Sequence, residues 1–314
     1  KAIQLKGAGS GSTTVSLTST FTSSNSRSFR ANAQSELRDL TFTAANVSAS
    51  EQASLGIPRI VDCVLVYANI TNAYKTVEAN EAHCVFTGTS ITGIGVATLN
   101  TLSTFIDDCD FYGTNLTEAL ITIWGGQNIN VTNSTGQHLN ASGTNAQKGH
   151  GRFYVGSVNL HGTQRNVYCS GNSTPTRFDN PQVGFGDGEI YLFDSALGSS
   201  SSMATSATAS TVVITDATSA AWIDRRDAVI TAGKGAGQSR KITGASGNTL
   251  TVEPDWDINP DTTSRINVVA FWNRVVIYSN TATGGNILDT GAEQGDSQGV
   301  NIFSGGSDVI IDAN

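Results

Sequence analysis

Three short apolar runs, each carrying one cysteine, return in the first part of the chain: VDCVLVYAN at 61–69, AHCVFTGTS at 82–90 and DDCDFYGTN at 107–115. Cys63, Cys84 and Cys109 stand 21 and 25 residues apart. A repeat in the twenties constrains the fold strongly, because so small a unit cannot bury its own apolar face and must stack on its neighbours. Aligned on the cysteines, the rows read RIVDCVLVYANITNAYKTVEA, NEAHCVFTGTSITGIGVATLNTLST and FIDDCDFYGTNLTEALITIWGGQ. Weaker rows follow in NINVTNSTGQHLNASGTNAQKGHG and RFYVGSVNLHGTQRNVYCSGNSTPT, and LRDLTFTAANVS reads as an earlier one.

Each row holds two or three runs of three to six apolar or alternating residues, broken by Asn, Gly, Thr or Ser. No stretch has a helical apolar period, and only 14% of residues are charged, so the usual helix-surface residues are scarce. The chain is therefore expected to be all-β. Parallel pairing of each strand with its equivalent one turn later sets like residues about 4.8 Å apart. Val, Ile, Phe and Cys would then fill the interior, with Asn and Thr at the corners. Four cysteines admit a disulfide framework. Their matching positions favour instead a ladder of buried free thiols, since free Cys packs as a small hydrophobe. Without a CxxC or a nearby histidine pair, a zinc-type site is not expected.

Lys and Arg number 18 against 26 Asp and Glu, giving a net charge of -8 with no basic run. Duplex nucleic acid needs clustered cations and is excluded as a partner. No apolar run reaches the length of about 18 residues needed for a membrane span. Strand-like runs at both ends, KAIQLKGAGSGSTTVSL and SDVIIDAN, read as a mature product or a piece of something longer.

These rows resemble the right-handed parallel β-helix of pectate lyases, polygalacturonases and phage tailspikes. IQLKGAGSGSTTVSL is similar to the first coil of many of them. The resemblance implies a right-handed single-stranded parallel β-helix with an inserted small antiparallel β module. The helix would occupy 1–195, the module 196–268, and the helix would resume over 269–314. The pattern breaks after GDGEIYLFDS, residues 186–195, and ALGSSSSMATSATAS reads as a flexible linker or exposed loop. Beyond it, AVITAGKGAGQSRKITGASGNTLTVEPDW alternates around the turns GKGAG and GASGN, the mark of antiparallel hairpins. The run GKGAGQSRKITG resembles a module of phage tail and large secreted bacterial β-helix proteins. No helix follows GKGAG, so it is not a phosphate loop. NRVVIYSN resumes the coil signature.

A stacked coil offers flat outer sheets on which successive units of an extended polymer can lie. The chain is similar to polygalacturonase-type glycosidases at DDC and at GHGRFYVGSVN, residues 149–159. That resemblance implies Asp107 and Asp108 as acid and base, with His150 in support. The alternative is that Asp107 and Asp108 are turn residues and His150 a loop residue. A second cluster gathers Arg177, Asp179, Asp187, Glu189 and Asp194 just before the insertion. In a lyase of this fold, Arg or Lys abstracts a proton while Ca²⁺ on Asp residues neutralises the substrate acid. Asp187 and Glu189, two apart, would share one strand face and suit either Ca²⁺ or an acid pair; the alternative is that the acids of this cluster are solvated turn carboxylates. Trp124 and Arg152 are the candidate substrate-binding residues, and no cofactor other than Ca²⁺ is implied. The expected protein is an extracellular, cell-surface or virion β-helix that binds and, as a lyase or hydrolase, cleaves a polysaccharide. The alternative is a non-catalytic structural or adhesive shaft. By resemblance to tailspikes, it would act as a homotrimer or within a larger assembly.

Overall fold

The computed structural model describes residues 3–17, 29–30, 34–48, 55–71, 77–79, 83–93, 96–113, 120–138, 153–156, 163–174, 191–194, 200–216, 226–270, 272–282, 300–303 and 306–314. Every regular element among them is a strand. Apart from an insertion, the strands fall into three parallel ladders. The first stacks Gln4–Lys6, Glu36–Arg38, Arg59–Val61, His83–Thr87, Ser103–Asp107, residues 126–132, Gln164–Ser170, Trp272–Tyr278 and Gly306–Asp312. The second stacks Thr14–Leu17, Thr41–Ser48, Val64–Thr71, Ser90–Gly93, Asp110–Gly113, Thr135–His138, Ser173–Thr174 and Thr281–Ala282. The third stacks Phe29–Arg30, Leu55–Gly56, Val77–Ala79, Val96–Thr101, residues 121–124, Phe153–Gly156, Tyr191–Asp194 and Val300–Phe303.

The chain visits the ladders in that order on every circuit, an arrangement compatible with a β-helix. One strand, Ile121–Thr132, serves two ladders in succession. Gly126 makes this possible: its φ is +117°, and a Cβ there would stand 2.8 Å from the Thr101 carbonyl oxygen. Equivalent positions on neighbouring rungs lie between 19 and 38 residues apart where no insertion intervenes.

Strand alternation sends every second side chain inward. Along the first ladder Leu37, Ile60, Phe86, Ile106, Val131, Cys169 and Ile277 stack in register, none more than 1% exposed. Phe42, Leu65, Ile91 and Phe111 line the second ladder in the same way. Each such side chain contributes about 1.5–3 kcal/mol by leaving water.

The corner between the first and second ladders is built the same way on successive rungs. Asp39, Asp62, Gly88, Asp108, Asn133, Gly171, Ser279 and Ala313 each take a left-handed φ, between 49° and 66°. Asp, Asn and Gly tolerate that region best, so their recurrence there is steric. The residue after each turns inward at Leu40, Cys63, Thr89, Cys109, Ser134, Asn172 and Asn280, all buried, while Asn314 takes the same corner position but is exposed. At Thr89, Ser134, Asn172, Asn280 and Asn314 the side chain caps the previous rung. The Cys63 N–H donates to Thr89 Oγ1 at 3.5 Å, and Cys109 N–H to Ser134 Oγ at 3.2 Å. Ser134 N–H donates to Asn172 Oδ1 at 2.9 Å, Asn172 N–H to Asn280 Oδ1 at 3.0 Å and Asn280 N–H to Asn314 Oδ1 at 3.0 Å.

This corner corrects the cysteine ladder. All four thiols are free and buried, but they do not stack. Cys63 and Cys109 occupy the corner two rungs apart with Thr89 between them, while Cys84 lies in a strand, opposite Thr104. Cys169 belongs to the inner row of Val131 and Ile277. Hydroxyl, thiol and amide share the corner because each is small and can accept from the rung before it. Burial pushes the Cys109 thiol up to about 12 and raises those of Cys63 and Cys169, so they pack as neutral groups.

Six strands form a separate closed antiparallel barrel: Ser200–Ala207, Thr211–Ile214, Asp227–Ala232, Ser239–Ser246, Thr249–Glu253 and Arg265–Val269. Its core includes Val212, Ile230, Ile242, Leu250, Trp256 and Ile266. The Ser/Ala/Thr-rich segment is not a linker over residues 200–207, which supply the barrel's first strand. Small residues suit it because Ser202 and Ala204 point inward, at 4% and 2% exposed. Gly233, with φ +78°, is required because a Cβ there would collide with the Thr263 carbonyl oxygen. Past the barrel the first ladder resumes, Trp272–Tyr278 pairing in parallel with Gln164–Ser170. Asp227 of the barrel, fully buried, accepts from Thr163 at 2.9 Å and pairs with Arg165 of that rung. Burial pushes the Asp227 carboxyl up, and Arg165 opposes the shift.

Candidate functional site

The outward side of the first ladder carries the groups best placed to meet a ligand. Two rows run along it in register. One passes from Val85 through Phe105, Asn130, Tyr168 and Val276 to Ile310. The other passes from Thr87 through Asp107, Thr132, Ser170 and Tyr278 to Asp312. Phe105 and Tyr168 are each 39% exposed and Tyr278 is 45% exposed. Among the residues whose side chains the structure describes, these are the aromatics more than a third exposed, and all three stand on this one face. Phe105 and Tyr168 lie two rungs apart, about 9.6 Å along the stack. Tyr278 sits one rung further on, displaced by two residues along the strand.

Rings in this position cost the fold nothing inside, because strand alternation leaves Ile106, Cys169 and Ile277 next to them facing the core. Between the rings stand Asn130, Thr132 and Ser170, which offer donors and acceptors to a polyhydroxylated ligand. The result is a flat strip of stacking surface edged with hydrogen-bonding groups. One rung earlier, His83 Nδ1 lies 2.8 Å from Ser103 Oγ on the same side of the sheet.

Towards the start of the ladder the face becomes ionic. Glu36 is nearly buried and accepts from Gln4 at 2.9 Å, Arg38 at 2.7 Å and Arg59 at 3.1 Å, joining three rungs. Burial alone would raise the Glu36 carboxyl; the donors from Arg38, Gln4 and Arg59 outweigh it and hold it at about 2. Arg38 also reaches Asp62 at 3.6 Å, and Lys6 reaches Asp39 at 3.8 Å. These cations are committed within the sheet.

The residues proposed from sequence distribute as follows. Asp108 is the left-handed corner residue of its rung, equivalent to Asp62 before it and Asn133 after it. Asp107 lies on the strip, where its Oδ1 accepts from Thr132 Oγ1 at 2.7 Å and Asn133 Nδ2 at 2.9 Å. Trp124 falls in the third ladder, opposite Leu99 and Gly156, and Asp194 falls in that ladder too. His150, Arg152, Arg177, Asp179, Asp187 and Glu189 lie outside the described residues. No group of three His, Cys, Asp or Glu side chains suited to a metal occurs among the described residues. Trp256 and Trp272 are core residues, at 4% and 0% exposed.

Phe105, Tyr168 and Tyr278 did not emerge from the sequence, although a signal was present. FIDDC (105–109), NVTNS (130–134), YCSGN (168–172) and VIYSN (276–280) share one pattern: outward, inward, outward, left-handed, corner. Aligning on the corner instead of the cysteine brings Phe105 and Tyr168 into one column. No helix among the described residues is long and apolar enough to cross a membrane. No family model, no curated protein and no solved structure matches this chain.

Proposed function

We propose that the chain is a right-handed parallel β-helix of the pectate lyase and tailspike kind, acting outside the cell or on a virion, whose first-ladder face binds an extended polysaccharide. The right hand follows from the preference of parallel crossovers in L-polypeptides. The observation that carries the binding function is the gathering of three exposed aromatics, Phe105, Tyr168 and Tyr278, on one outer sheet. A stack of rungs repeats along its axis, and a chain of sugar rings repeats along its own. Rings at Phe105, Tyr168 and Tyr278 would meet the C–H faces of pyranoses, and Asn130, Thr132 and Ser170 their hydroxyls. Binding is the activity proposed for this strip. Cleavage would draw on Arg177, Asp179, Asp187 and Glu189, or on Asp107.

The test is affinity electrophoresis of the full chain through gels cast with a panel of soluble polysaccharides. At least one polymer should retard the wild type, and a Phe105→Ala/Tyr168→Ala/Tyr278→Ala variant with unchanged circular dichroism should run unretarded. Equal retardation of both proteins would assign binding elsewhere. Free migration of the wild type through the whole panel would favour a structural shaft.

A further inference from the structure

We infer, resting on the polysaccharide reading above, that the ligand of this strip is an uncharged glycan and not a uronic-acid polymer. A polyuronate presents a carboxylate on each sugar, so the surface that recognises it must supply cations, as clamps or through metal ions. Most cations described on the first ladder are committed elsewhere. Arg38 and Arg59 are bound to Glu36, and Lys6 faces Asp39. Arg165, the cation on the Tyr168 rung, is held by the barrel's Asp227. Arg274 is exposed in a left-handed bulge at the edge of the strip, where its Nε donates to Asn273 Oδ1 at 3.1 Å.

From the Phe105 rung to the Tyr278 rung, the two outward rows contain a single charge, and it is negative: Asp107. Its own donors, Thr132 and Asn133, are neutral. Asp312 adds a second carboxylate one rung beyond Tyr278. The whole chain, at -8, sets up a field of the same sign. A polyanion would therefore approach against the field and meet carboxylates with no free ammonium or guanidinium in the rows between the rings. A neutral chain carries no such penalty. It would be held by ring stacking and by hydroxyl and amide hydrogen bonds, neither of which depends on ionic strength.

The full chain should be titrated with neutral polymers (a mixed-linkage β-glucan and a galactomannan) and with acidic ones (polygalacturonate and alginate). Calorimetry at about 50 mM and about 500 mM NaCl separates the electrostatic part, since the Debye length shrinks severalfold between them. The expected result is binding of a neutral polymer whose affinity changes less than about twofold between the two salts. Acidic polymers should bind at least about tenfold more weakly than it at either salt. Preference for an acidic polymer, with affinity falling about tenfold or more at high salt, would overturn the charge inference and leave the strip as a binding surface. Binding to no polymer, or neutral binding kept by the Phe105→Ala/Tyr168→Ala/Tyr278→Ala variant, would remove the strip itself and this inference with it.

Discussion

Asn172 gives the sharpest test of the corner stack. Its side chain is 1% exposed and serves neighbours on two other rungs. Oδ1 accepts the Ser134 N–H at 2.9 Å, and Nδ2 donates to the Val131 carbonyl at 2.7 Å and to Asn280 Oδ1 at 3.2 Å. Asn172→Ala would leave the Ser134 N–H and the Val131 carbonyl without these partners inside the stack. At about 1–3 kcal/mol for each buried group left unpaired, the loss is about 2–6 kcal/mol. Asn172→Ser should cost roughly half of that, because serine already fills the corner one rung earlier. There, Ser134 Oγ accepts the Cys109 N–H at 3.2 Å and donates to the Thr132 carbonyl at 2.8 Å. Serine at 172 would cap Ser134 and leave only the Val131 carbonyl short. Urea unfolding followed by circular dichroism measures the loss, and hydrogen exchange of the Ser134 amide locates it. That amide should exchange faster in Asn172→Ala and stay protected in Asn172→Ser. Equal cost for the two variants, or an unchanged Ser134 amide in the alanine variant, would refute the capping argument.

Neighbouring residues on one strand should behave oppositely: Ile106→Ala, fully buried, should cost about 2–5 kcal/mol, whereas Phe105→Ala should cost less than about 1 kcal/mol in the same denaturant titration. At Asp108, with φ 52°, Gly or Asn should leave the thermal midpoint nearly unchanged, while Val should lower stability by about 1–2 kcal/mol because a β-branched side chain strains the left-handed region. Glu36, held at about 2 against an ordinary 4.5, stabilises the fold fully above the ordinary value. That contribution drains away as pH falls from the ordinary value towards the folded one. Glu36→Gln should flatten this part of the stability–pH curve, and an unchanged slope would show that Gln4, Arg38 and Arg59 do not hold the carboxylate. Asp227→Ala strands the partly buried Arg165 and should cost about 3–5 kcal/mol by denaturant titration, more than Arg265→Ala, whose side chain is exposed on the barrel.

Much of the architecture was legible because it is written in alternation and turn residues. The rows around Cys63 and Cys109, the hairpin turns of the insertion and the return of the coil at NRVVIYSN all correspond to observed strands. Register was harder. Row length varies from 19 to 38 residues, so no fixed period aligns the rungs, and cysteine is a poor marker because it substitutes freely for Val, Thr or Ser in the interior. The steric marker is the left-handed residue before the corner, which Asp, Asn, Gly, Ser and Ala all fill. The segment SSSMATSA looked like a linker because Ser, Thr and Ala carry little apolar signal, yet a narrow barrel needs small residues on its inner face. Asp108 drew notice as a carboxylate when its position calls for a residue that tolerates positive φ. The aromatic strip could not be seen until the register put residues 105, 168 and 278 on one face.

The most direct measurement is the spacing across that face. All four native thiols are buried, so cysteines introduced as Phe105→Cys and Tyr168→Cys can be spin-labelled selectively. Stacked rungs put these sites about 10 Å apart, near enough for strong dipolar broadening in a continuous-wave spectrum, although 63 residues separate them in the chain. Broadening beyond the sum of the two single-label spectra is the predicted result. A doubly labelled protein that is folded, yet whose spectrum equals that sum, would contradict the stacking and the binding strip built on it.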